Sequence, residues 1–141
     1  MLEYTALFFI IPALYALSKN IFEYFNGFIF LIITSYIYHS KPIDYKINNN
    51  QINKINFFWI DQFAMWNIVI MGTYNYFQYC DNIISKIVVP VCCLGCACLY
   101  VYNKYTLQNN LIHSYIHALA IIGHSLIIFG ITPSINPILI V

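Results

Sequence analysis

Five apolar runs separated by polar breaks dominate this chain, and no other feature limits its folding as strongly. They cover about 4–17, 21–38, 57–76, 83–102 and 111–130. A bilayer core is crossed by about 20 apolar residues in a helix, and only helices or closed barrels satisfy their own backbone there. The sequence therefore reads as all-α: a polytopic integral membrane helix bundle of about five transmembrane helices, forming a single membrane domain over residues 1–141. Composition agrees. Charged residues make up 8% of the chain and hydrophobic ones 61%, whereas a soluble domain carries roughly 25% charged residues. The six basic residues are all Lys and the net charge is +1, so no basic surface exists for nucleic acid.

The first run is the shortest. It is preceded by Glu3 instead of a basic segment and has no clean small-residue cleavage site, which favours a first transmembrane helix over a signal peptide. Pro12 should kink it or thin its last turns. Lys19 and Asn20 form a polar break, and Pro42 should stop the second helix. The polar, Asn-rich stretch 41–56 is then the only long loop. After the fifth run, the tail 131–141 is apolar but broken by Pro133 and Pro137, and is expected at the interface or against the bundle. Four of five cysteines crowd into Cys92, Cys93, Cys96 and Cys98. Cys93 and Cys96 have C-x-x-C spacing, but inside an apolar run small residues are better explained by close approach of helix backbones than by metal or redox chemistry.

Helix alternation assigns sides. Five crossings put the N-terminus, the 39–56 loop and the 103–110 turn on one side, with Lys41, Lys46, Lys54 and Lys104. Lys19 and Lys86 fall on the other, so the positive-inside rule makes the first side cytoplasmic.

The polar residues of the runs follow the same alternation. His39 ends the second helix on the loop side, with Ser35 four residues earlier on the same face. Asp61 lies roughly 10 Å into the third helix from that side. His113 and His117, an H-x-x-x-H pair, occupy the first two turns of the fifth helix, which starts there again. Two histidines at this spacing lie about 6 Å apart along one helix face and can share a metal ion. A carboxylate at the position of Asp61 costs about 2.5–3.5 kcal/mol to insert, so another helix must compensate it. Each residue also has a plainer role open to it: a structural hydrogen bond for Asp61, a bond back to its own helix for Ser35, and packing or interfacial positions for the histidines. Their agreement in one layer favours a metal site over these separate explanations. His124 lies about 10 Å deeper than His117 and is expected to be structural or to line a pocket.

The pattern of Ser35 and His39 ending one helix, Asp61 early in the next, and His113 and His117 in the last resembles the membrane-hydrolase superfamily of alkaline ceramidases, progestin and adiponectin receptors and GPI-remodelling lipid hydrolases, often called CREST. The resemblance implies a Zn2+ ion held by His39, His113 and His117. Asp61 and Ser35 would complete the shell that activates water or stabilises the oxyanion. It implies a zinc-dependent, ceramidase-like hydrolase cleaving an amide or ester bond of a membrane lipid. Members have seven transmembrane helices, with three crossings between the Asp helix and the H-x-x-x-H helix where this chain has one. Losing two helices keeps the side of each residue, and a homo-oligomer or partner helices would then complete an opened pocket. Two other readings stand beside this one. One is a receptor-like or structural membrane protein with a structural metal site or none. The other is a bis-histidine haem bundle, which leaves Asp61 and Ser35 without a role.

Overall fold

In the computed structural model, which describes residues 2–40, 50–105 and 109–131, the chain is helical almost throughout. Its elements are α1 (Leu2–Leu7), α2 (Ile10–Ser18), α3 (Phe22–Ser40), α4 (Asn50–Tyr79), α5 (Ile83–Tyr105) and α6 (Asn110–Gly130). Among the described residues the one β contact is an isolated bridge between Cys80 and Ile131. Two helices, α5 and α6, are long and apolar enough to cross a membrane, and Tyr4–Ser18 is a shorter apolar stretch. The residues around Pro42, the turn at 106–108 and the tail beyond Ile131 lie outside the described residues.

Local chemistry explains most boundaries. The first run is broken at Phe8 and Phe9, one turn before Pro12. Proline lacks the N–H that would bond the carbonyl four residues back, and here the Phe8 carbonyl takes the Ile11 N–H instead, at 3.1 Å. Asn20 closes the α2–α3 turn with φ of 59°, a left-handed conformation that asparagine tolerates better than most residues. Asn82 accepts hydrogen bonds from the Ile84 and Ser85 amides and Asn109 accepts one from Leu111, so the asparagines of two polar breaks are helix caps. The helix α4 starts at Asn50, about two turns before the apolar run at 57. The polar segment ahead of that run contains neither glycine nor proline from 50 to 56, so nothing halts a helix that propagates backwards from it.

Pro90 does not interrupt α5. Its missing amide would leave the Lys86 carbonyl without a partner, and the Tyr76 hydroxyl of α4 donates to that carbonyl at 2.9 Å.

The helix α6 is central. It packs along α5 on one side and meets α1, α2 and α4 on the other, while α3 packs on α4 and on the α1–α2 unit. The main core joins Phe9, Tyr24, Phe28, Leu31, Ile68 and Ile128, with Ala13, Ala16 and Ala64 fully buried between them. Small residues of this kind let helices approach closely where van der Waals packing must hold them together. The Cys cluster divides in two. Cys92 is buried against Gly123 of α6, and Cys96 points its thiol at the Ile116 carbonyl, 3.6 Å away. Cys93 and Cys98 are exposed, and all five thiols are free. At the far end, the Asp81 amide donates to the Gly130 carbonyl at 3.1 Å and ties the α4–α5 turn to the end of α6. The ends of α4 and α6 thus lie together, and the start of each lies at the opposite end, with the last turn of α3.

Candidate metal centre

Three imidazoles converge where α3 ends and α6 begins. His39 lies in the last turn of α3, and His113 and His117 lie in the first two turns of α6. One ring nitrogen from each falls within 4.8 Å of the others. The ring centroids are 5.3 Å apart for His39 and His113, 6.0 Å for His39 and His117, and 4.8 Å for His113 and His117. All three rings are half-buried. These three residues can hold a metal ion.

The donor chemistry and spacing suit such an ion. The Nε2 atoms of His113 and His117 face each other at 3.2 Å. Two nitrogens at about 2.0–2.1 Å from a tetrahedral zinc are about 3.3–3.4 Å apart. The pair is therefore already near the separation that shared coordination requires. His39 closes the triangle from a second helix.

Ser35 and Asp61 lie beside this triad. Ser35 is one turn from His39 on α3 and is buried. Its hydroxyl donates to Oδ1 of Asp61 on α4, a carboxylate only 6% exposed. Ser35 is thus not spent on its own helix. Its neighbour Thr34 makes that bond instead, donating to the Phe30 carbonyl at 3.0 Å. Ser35, Asp61, His113 and His117 all line one cavity of about 290 Å³. The cavity runs between α4 and α5 over α6, with Met65 and Ile68 on one wall, Val89 and Cys92 on the other, and Ile127 on its floor. Its surface is mostly apolar.

His124 also lines the cavity but stands outside the triad. Its Nδ1 is 2.5 Å from the Tyr24 hydroxyl, and its ring meets Phe28 edge-on at 5.3 Å. Gly72 makes room for this pair: a Cβ there would come within 2.8 Å of both the Tyr24 oxygen and the His124 ring.

Two residues at the site escaped the sequence reading. The Thr5 hydroxyl of α1 is 2.9 Å from Nδ1 of His117, and the Phe9 ring meets His117 edge-on at 5.6 Å. Helix alternation puts the start of the first helix on the side of the triad. Nothing in an apolar stretch distinguishes one threonine, however, and the direction it faces depends on the break before Pro12. Compared with protein-family models, with curated proteins and with solved structures, the chain finds no match.

Proposed function

We propose that this protein is a zinc-dependent integral-membrane hydrolase that cleaves an amide or ester bond of a membrane lipid. The observation that carries the proposal is the convergence of His39, His113 and His117 beside the buried Ser35–Asp61 pair, at one end of an apolar cavity. When bound, zinc supplies a Lewis acid and activates water at neutral pH. Asp61 takes a proton from the attacking water as its oxygen bonds to the carbonyl carbon. It then delivers that proton to the nitrogen or oxygen of the leaving group as the amide or ester bond breaks. Ser35, donating to Oδ1, keeps the carboxylate in place and leaves Oδ2 for that exchange.

The outward surface supports membrane crossing by α4 and α5. Along α4, Trp59, Phe63, Trp66, Ile70 and Phe77 are all exposed and follow a helical period, a stripe about 27 Å long. That length is close to the roughly 30 Å of a bilayer core. Ile84, Ile87, Val91 and Leu94 form a similar stripe on α5. Because α5 is held to the bundle mainly through α6, the cleft between α4 and α5 has little helix contact to close it. A lipid reaches such a cleft sideways, with its acyl chain against Met65, Ile68 and Val89 and its polar linkage at the triad. The Lys distribution, four on the side of the triad against two, supports a cytoplasmic position for it.

The test is metal analysis of detergent-purified protein, with His39→Ala and His113→Ala alongside, followed by turnover of lipid amides and esters. About one zinc per chain, lost in both variants, together with lipid cleavage that disappears with the metal, is expected. Zinc without turnover would favour a structural metal site, and wild-type protein without zinc would sink the proposal.

A further inference from the structure

Thr5 and His117 are far apart in sequence yet their side chains meet at 2.9 Å, and that contact bears on how His117 can bind a metal. A neutral imidazole carries one proton, on either Nδ1 or Nε2. The Nε2 of His117 is the atom turned towards His113, so it must be the unprotonated one if it is to ligate. The proton then sits on Nδ1, the atom that meets Thr5. Threonine in a helix commonly donates its own proton to a carbonyl one turn back, which leaves its oxygen free to accept.

We infer that Thr5 is a positioning residue for the metal centre: its hydroxyl oxygen accepts the Nδ1 proton of His117 and thereby presents the Nε2 lone pair to the ion. The inference rests on the metal-site reading above and adds to it a residue from a helix that holds none of the three ligands. Metal-bound histidines generally donate their second ring N–H to an oxygen, which fixes tautomer and ring orientation and makes the ligand more basic. Phe9, four residues after Thr5, closes over the same ring edge-on and limits its rotation. Both residues belong to the segment that Pro12 breaks, so the N-terminal helix is part of the site's support and not merely a neighbour of it.

The test uses the full chain in detergent, with cobalt(II) as the probe. Wild type, Thr5→Ser, Thr5→Val and His117→Ala are titrated against a competing chelator and followed by the visible absorption of tetrahedral cobalt. Removing a partner of this kind typically weakens metal binding by about 10–100-fold. Thr5→Val should show a loss in that range, Thr5→Ser should stay within a few-fold of wild type, and His117→Ala should lose the spectrum. Wild-type affinity in Thr5→Val would overturn the role of Thr5 while leaving the metal site intact. Absence of cobalt binding in wild type would instead defeat the metal-site reading. Nitrogen-15 NMR of the metal-free protein separates the two further, because it reads the ring without the ion. It should find His117 protonated on Nδ1 in wild type and Thr5→Ser, and should find that preference lost in Thr5→Val. A His117 ring protonated on Nε2 in the wild type would overturn the inference even if Thr5→Val fails to fold.

Discussion

Ser35 and Asp61 join α3 to α4 through a buried hydrogen bond one turn from His39. The serine donates and the carboxylate accepts at Oδ1. Replacing Asp61 by Asn keeps the volume and an acceptor for Ser35 but removes the carboxylate proposed as the base. Asp61→Asn should therefore retain the metal while lipid turnover falls by about 10²–10⁴-fold, the usual contribution of a general base. Ser35→Ala leaves a buried acceptor unmet and should destabilise the fold by about 1–3 kcal/mol. Thermal unfolding and metal content on both variants check this, and loss of metal from Asp61→Asn would contradict the assigned roles.

Acid should release the metal. A histidine ligates only as the neutral ring, so protons compete with the ion, and lowering pH always moves the balance towards release. An ion bound only to the folded state stabilises it. The melting temperature of the zinc-loaded protein should thus exceed that of chelator-treated protein at about pH 7.5, and the gap should narrow as the pH is lowered to about 5, because protons then compete better for the rings. Melting curves with and without chelator at both pH values measure it, and a gap that stays as wide at low pH would argue against histidine ligands.

The Tyr24–His124 pair should matter for folding and not for metal. Tyr24→Phe deletes the hydroxyl 2.5 Å from Nδ1 of a half-buried ring and should cost about 1–3 kcal/mol. Gly72→Val would force a side chain into the same space and should be more damaging still, because overpacking adds to the lost hydrogen bond. Stability in detergent and zinc content distinguish the two effects. A Tyr24→Phe protein that folds normally but has lost its zinc would show that His124 reaches the metal centre.

Much of the helix plan was legible because apolar runs and the polar breaks between them are local signals. The layer holding His39, Asp61, His113 and His117 was legible for a different reason: alternation of helix direction assigns each residue to an end of the bundle without any knowledge of packing. What alternation cannot supply is azimuth. Thr5 and the Tyr24–His124 contact depend on which way each helix is rotated, and that is decided by partners more than ninety residues distant. The break at Phe8 and Phe9 was implied by Pro12, but its position one turn upstream follows from the carbonyl that proline leaves unbonded. The early start of α4 at Asn50 was hidden because polar composition resembles a loop even where nothing breaks a helix.

Pro90 and Tyr76 offer a test that is independent of any chemistry at the metal. In an unbroken α5, the amide of residue 90 would bond the Lys86 carbonyl, and proline has no such amide. The Tyr76 hydroxyl takes its place at 2.9 Å and links α4 to α5, two helices with little else between them. Tyr76→Phe should therefore cost about 1 kcal/mol in the wild-type background. Pro90→Ala restores the amide within α5, and in that background the same tyrosine change should cost close to nothing. The two substitutions are coupled through one carbonyl, so a double-mutant cycle isolates the interaction. Unfolding in detergent supplies the four stabilities. Equal costs for Tyr76→Phe with and without proline would mean that the hydroxyl does not substitute for the missing amide, and that some other contact carries the helix past Pro90.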